Sequence, residues 1–136
     1  MNVLVIGNGG REHAIVQALA KSPRVDKIYA MKGNAGIGEL AELVNLDYCD
    51  IKAVGDWVDA HTEIEYTVVA PDDPLALGLV DELESRGHRV FGPRKNAAII
   101  EASKAFSKEL MKKYGIPTAK YETFSDYESA KAYVDT

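Results

Sequence analysis

Asn2-Val3-Leu4-Val5-Ile6-Gly7-Asn8-Gly9-Gly10-Arg11-Glu12-His13 decides the fold. Val3 to Ile6 is an unbroken apolar run of strand formers, and it stops at Gly7-Asn8-Gly9-Gly10. A helical stripe of Ala14, Ile15, Ala18 and Leu19 begins directly afterwards. The order is buried strand, tight turn, helix start. Such a turn presents backbone N–H groups at the positive end of a helix, an anion site best suited to a phosphate. Glycine permits positive φ and the close approach of a ligand. The same glycines also suit a tight turn in which strand and helix simply pack closely.

Outward from this stretch the alternation repeats. The first helix is predicted over about Arg11 to Lys21, stopped by Ser22-Pro23, and a second strand over Lys27–Met31. A second glycine loop, Gly33-Asn34-Ala35-Gly36-Ile37-Gly38, leads to a short helical stretch and a brief strand near Leu43–Asn45. Asp50 is placed to N-cap a helix striped by Ile51, Val54 and Val58. Tyr66–Ala70 is a fourth strand, nearly all apolar, as a strand covered on both faces should be. Asp73-Pro74 reads as an N-cap and first helical position, Leu75, Leu79, Val80 and Leu83 as the buried stripe, and Gly87 as the stop. Arg89–Phe91 is the last strand, ended by Gly92-Pro93. The pattern is α/β: an open parallel five-stranded sheet wound on both faces.

From about Ser103 the character changes. Phe106, Leu110, Met111 and Tyr114 share one helix face, and Lys104, Lys108 and Lys112 the other. Gly115-Ile116-Pro117 ends that helix, Ala119–Phe124 reads as a short strand, and Ser125-Asp126-Tyr127-Glu128 as a capping box opening a helix in which the sequence stops. A helix, a strand and an unfinished helix cannot bury a core alone, so residues 103–136 are expected to open a second domain after a first spanning 1–102.

Composition narrows the function. A net charge of −5 argues against general nucleic-acid binding. No apolar run approaches the ~20 residues needed to cross a bilayer, and no secretion leader is visible, so a cytoplasmic location is expected. The single cysteine, Cys49, excludes an intrachain disulfide and has only Lys52 as a basic neighbour. No metal-ligand spacing surrounds His61 or His88. Trp57 and Phe106 are core candidates. His13 reads as a packed or capping histidine, Glu12 as an ordinary first-turn acid. Arg11, whose charge opposes the helix dipole, points to an anion nearby.

A dinucleotide site is disfavoured. The third glycine of G-x-G-x-x-G falls on Glu12, and Ala30-Met31-Lys32-Gly33-Asn34 offers no acid for a ribose hydroxyl. A two-component receiver lacks its acidic pair after the first strand. A mononucleotide or sugar phosphate fits better.

Gly7-Asn8-Gly9-Gly10-Arg11-Glu12-His13, Gly33-Asn34-Ala35-Gly36, Phe91-Gly92-Pro93, Ser103-Lys104-Ala105-Phe106-Ser107-Lys108 and Gly115-Ile116-Pro117-Thr118-Ala119 occur in this order. Together they closely resemble the phosphoribosylamine–glycine ligase (glycinamide ribonucleotide synthetase) family of ATP-grasp enzymes, along the whole sequence. The resemblance implies a Rossmann-like preATP-grasp domain followed by the start of an ATP-grasp domain. It implies an ATP-dependent carbon–nitrogen ligase of de novo purine synthesis, with glycine, 5-phosphoribosylamine and ATP as partners. In that reaction glycine is activated as glycyl phosphate and then attacked by the amine, with magnesium (or manganese) on the ATP phosphates. The residues implied to hold the phosphate and ribose are Asn8, Gly9, Gly10, Arg11, Gly33, Asn34, Pro71 and Asp72. The family usually reads Gly-Pro-Glu-x-Pro-Leu after the fourth strand, so Ala70 and Asp72 depart from it, Asp72 keeping the carboxylate with a shorter reach. On pattern alone Lys104 belongs to a solvated lysine face; the resemblance assigns it to the ATP phosphates. No catalytic residue and no metal ligand is expected in this stretch, which is read as a fragment inactive by itself, with no bound cofactor. The rival readings are a free-standing nucleotide- or partner-binding domain without catalysis, and a NAD-dependent oxidoreductase domain.

Overall fold

The computed structural model describes residues 1–135. Its elements are β1 (Asn2–Gly7), α1 (Gly10–Ala20), β2 (Lys27–Lys32), α2 (Ala35–Gly38), β3 (Glu42–Val44), α3 (Ile51–Ala60) and β4 (Ile64–Val69). There follow α4 (Asp72–Leu77), α5 (Leu79–Ser85), β5 (Val90–Phe91), α6 (Lys95–Ala102), α7 (Lys104–Tyr114) and α8 (Tyr127–Val134). The strands make one five-stranded sheet in the order β3-β2-β1-β4-β5, every neighbouring pair parallel. The chain therefore steps outward from β1 to β3, then crosses back to lay β4 on the other side of β1. That reversal between β1 and β4 is where an open α/β sheet forms a crevice beyond its strand C-termini.

β1 is central and covered on both faces, which is why its apolar run is continuous rather than alternating. Leu4 and Ile6 enter one cluster with Val54, Val58, Leu79, Val80 and Leu83. Val3 and Val5 enter the other with Val16, Ile28, Ala30 and Ile37. Caps follow the sequence logic in places. Asp50 accepts from the Ala53 N–H at 3.0 Å, Ser103 from the Phe106 N–H at 3.3 Å, and Gly115 ends α7 at φ +65°. Across α3 and α5, Arg86 bridges Asp56 and Asp59 at 2.9 and 2.7 Å and lies so flat on Gly55 that a Cβ there would meet it.

Several expectations are corrected. Pro71, not Asp73, is the N-cap after β4, so Pro74 sits inside the first turn; amides there have no carbonyl partner, and proline loses nothing. The expected single helix is broken at Gly78, whose φ of +102° separates α4 from α5. β3 begins one residue earlier than read, and α6 is an element the sequence reading does not contain. Ala119–Phe124 forms no strand among the described residues; a lone extended segment has no edge on which to spend its hydrogen bonds. Asp126 rather than Ser125 caps α8, accepting from the Ser129 N–H at 2.8 Å. α8 ends at Val134; Thr136 lies outside the described residues. Trp57 is only partly buried, packed on the first cluster and stacked on His61. Phe106 is 38% exposed and is no core residue here.

Met1–Ala98 is one compact unit and a second begins at Ile99. Within the second, Ser107 is the one buried residue among those described; its hydroxyl donates to the Ile100 carbonyl. Lys108 donates to the Thr118 hydroxyl at 2.6 Å, and Phe124 packs on Tyr133.

Two leucines flanking Gly78 test the break. Leu79 is 0% exposed and Leu77 47%. In urea denaturation Leu79→Ala is expected to cost about 2–5 kcal/mol, and Leu77→Ala to stay within about 0.5 kcal/mol.

Candidate functional site

Three loops meet at the C-terminal edge of the sheet: Gly7-Asn8-Gly9 after β1, Lys32-Gly33-Asn34 at the end of β2, and Ala70-Pro71 after β4. Gly7 and Lys32 are register partners, so the first two loops leave the sheet side by side. The second is strapped onto the first. The Gly33 N–H donates to the Gly7 carbonyl at 3.1 Å, and the Asn34 side-chain amide to the Asn8 carbonyl at 2.9 Å. The same Asn34 side chain caps α2 by accepting from the Ile37 N–H at 3.0 Å. Lys32, with φ +66°, takes the left-handed conformation that the reversal here requires of a non-glycine residue.

Glu12 organises the first loop. It is 4% exposed; one carboxylate oxygen accepts from the Gly9 N–H at 2.6 Å, the other from Arg11 Nε at 2.8 Å. The glutamate half of a capping box is thus present, with Gly9 as N-cap. Sequence reasoning took Glu12 for an ordinary first-turn acid. The signal that finds it is its spacing, three residues after the N-cap.

The loop glycines separate by what surrounds them. A Cβ on Gly7 would lie 2.6 Å from Glu12 Cγ and 2.8 Å from Pro71 Cγ, and φ there is +121°. A Cβ on Gly9 would lie 2.7 Å from the Glu12 carboxylate. Both positions are glycine for internal reasons. Gly10 differs: nothing lies within 4 Å of its Cβ direction, and no positive φ requires it. Its bare backbone faces open space at the first position of α1. In the second loop Gly33 (φ +57°) has Leu43 where a Cβ would go, and Gly36 has the His13 ring, so His13 joins α1 to α2.

The structure therefore gathers Asn8, Gly9, Arg11, Gly33 and Asn34 through these hydrogen bonds, Gly10 through its place between Gly9 and Arg11, and Pro71 through its close approach to Gly7. Pro71 is buried; Asp72, the first residue of α4, is exposed. Beside them, burial foremost, then Cys49, Asp73, Glu12 and Asp47, pushes the Tyr48 hydroxyl up. The Cys49 thiol is also raised, chiefly by burial, opposite to the shift that an activated thiolate needs. Lys104 belongs to the second unit, where it is the exposed first residue of α7.

Thermal unfolding of three single variants separates the glycines. Gly7→Ala is expected to cost most, above about 3 kcal/mol, from positive φ and overpacking together. Gly9→Ala should be intermediate, displacing the Glu12 carboxylate. Gly10→Ala should lie within about 0.5 kcal/mol of the unsubstituted chain.

Comparison with known proteins places this geometry. The family model described as "Phosphoribosylglycinamide synthetase, N domain" matches residues 1–101, and "Phosphoribosylglycinamide synthetase, ATP-grasp (A) domain" matches 102–136. The phosphoribosylamine–glycine ligase of Mesorhizobium japonicum is 51% identical over 135 residues, covering 99% of this chain and 32% of that protein. That of Caldanaerobacter subterraneus is 48% identical over 134 residues, covering 98% and 32%. The crystal structure of phosphoribosylamine–glycine ligase from Thermotoga maritima superposes with a TM-score of 0.65 at 30% identity, covering 99% of this chain and 30% of that one. The chain thus spans 32% of the length of these curated relatives. With both domain models matching in order, the chain belongs to the phosphoribosylglycinamide synthetase family.

Proposed function

We propose that this chain forms the ribose-phosphate end of an ATP-dependent ligase that joins glycine to 5-phosphoribosylamine, giving glycinamide ribonucleotide, ADP and phosphate. One observation carries the reading: the open approach to the Gly10 backbone, in the loop that follows β1 at the C-terminal edge of the sheet. A ligand can come closer there than any side chain would allow, and the helix start favours an anion. Arg11, half-exposed and seated on Glu12, brings a cation to the same loop. Asn34 and Gly33 fix the loop's outer wall, Asn8 contributes its edge, and Pro71 with Asp72 closes the side formed by β4, Asp72 toward a ribose hydroxyl. A cation, Lys32, at the end of β2 supports a phosphate in preference to the ribose hydroxyls of a dinucleotide.

The chemistry explains why such a handle is useful. A carboxylate is a poor acyl donor; phosphorylation by ATP makes its oxygen a leaving group, and the amine then attacks the acyl phosphate. Holding the phosphate of the amine far from the reacting nitrogen converts remote binding into orientation. ATP and a divalent cation are part of this proposal, with Lys104 as the contribution of this chain to the ATP phosphates. Among the described residues no group of three or more His, Cys, Asp or Glu is placed to hold a metal ion, so no metal step is assigned to them. A cytoplasmic location belongs to the same proposal; no helix among the described residues is long and apolar enough to cross a membrane.

The test uses ribose 5-phosphate and calorimetry. Gly10→Val is expected to weaken its binding by about tenfold or more while leaving the melting temperature unchanged. Unaltered affinity in a folded Gly10→Val chain contradicts the assignment.

A further inference from the structure

We infer that the loop between β3 and α3 is a fourth wall of the candidate site, and that its Asp47 and Tyr48 hold Lys32 there as a cation for the phosphate. This rests on the ribose-phosphate reading above. Lys32 is the one non-glycine residue with positive φ among those described, at +66°. A side chain opposes that conformation, which a glycine takes freely. Such residues persist where their surroundings fix them, and they concentrate at binding sites. Lys32 is fixed on both sides. It pairs in register with Gly7, across a parallel-strand spacing of about 4.8 Å, and the N–H of the next residue, Gly33, donates to the Gly7 carbonyl. Beyond the strand, its ammonium lies 5.1 Å from the centre of the Tyr48 ring and 3.8 Å from Asp47 Oδ1. That same oxygen accepts from the Cys49 N–H at 3.1 Å, so the carboxylate is held in one direction. Tyr48 packs on the first core cluster, and its hydroxyl stands near enough to Asp73 and Glu12 to be raised by their charges. The ring is thus an anchored platform among the loops that follow β1 and β4.

Stability does not account for this arrangement. Lys32 and Asp47 are both exposed, and exposed ion pairs contribute little. At 3.8 Å the pair is longer than a hydrogen bond, so it directs the ammonium without consuming its N–H donors. The ring attracts the cation through one face only. The result is an ammonium set at the C-terminal edge of the sheet, able to meet a phosphate as a point charge. Arg11 brings a cation from α1 and Lys32 one from β2, so an anion on the Gly10 backbone meets positive charge from two elements.

Calorimetry with ribose 5-phosphate, read beside melting temperatures, tests this. Lys32→Gly relieves the backbone, so the melting temperature should be no lower, yet affinity should fall about tenfold. A merely structural lysine would not separate the two readouts in this way. Lys32→Asn, which also tolerates the left-handed backbone, should lose as much affinity. Tyr48→Leu keeps an apolar side chain and removes the π face. It should weaken binding about threefold in the otherwise unchanged chain, and leave it within about 1.5-fold in the Lys32→Gly background. Full affinity in a folded Lys32→Gly or Lys32→Asn chain overturns the inference. Equal losses from Tyr48→Leu in both backgrounds overturn the role of the loop. Failure of the unsubstituted chain to bind ribose 5-phosphate overturns the ribose-phosphate reading itself, whereas binding that is indifferent to Lys32 overturns only this step.

Discussion

The burial of one carboxylate governs the functional edge of this protein. Glu12 sits under the turn between β1 and α1, and a charge so enclosed is tolerable only where hydrogen bonds replace its water. It finds them in Gly9 and Arg11. The conformation of the turn follows from that requirement. Gly7 has to be glycine because its φ is +121° and Glu12 Cγ and Pro71 fill its Cβ position, whereas at Gly9 a Cβ would meet only the Glu12 carboxylate and would have to displace it. Gly10 alone is left with space around it. A glycine motif that reads as one phosphate cradle thus divides into two positions crowded by the protein itself and one, Gly10, left open, where the proposed ligand would approach.

The sheet supplies the rest by topology. β1 is central, so the loop that follows it is flanked by those of β2 on one side and β4 on the other. The parallel register that aligns Gly7 with Lys32 lets Gly33 and Asn34 reach back to the first loop. On the β4 side, Pro71 closes against Gly7. Rigid strands hold the loops, and the loops hold the chemistry.

Much of this was legible because buried parallel strands leave an unmistakable signature. Val3 to Ile6 and the run ending at Val69 could not alternate, since both sheet faces are covered, and the helices between them carried clear stripes and stops. What escaped the sequence reading was decided by contacts rather than periodicity. Gly78 lies inside an apolar stripe that continues across it, and only its left-handed backbone shows that the helix restarts there. Ala119–Phe124 has strand composition, but composition cannot show that no neighbouring edge is available. Phe106 has the spacing of a core residue in a unit where Ser107 alone is buried among the described residues. Of the candidate site, the glycines, Arg11 and Asn34 were legible by motif. Glu12 was present in the same motif, but its reach back to Gly9 depends on a rotamer that spacing suggests and only geometry reveals.

The central claim is that the turn after β1 receives a ribose-linked phosphate and not a dinucleotide. The most direct measurement is an amide chemical-shift titration of this chain with glycinamide ribonucleotide, with NADH run in parallel. Saturable shifts centred on Gly9, Gly10, Gly33 and Asn34 with the ribonucleotide, and none with NADH, are the predicted result. Shifts of those same amides with NADH alone, or saturable ribonucleotide shifts confined to other parts of the chain, would contradict it.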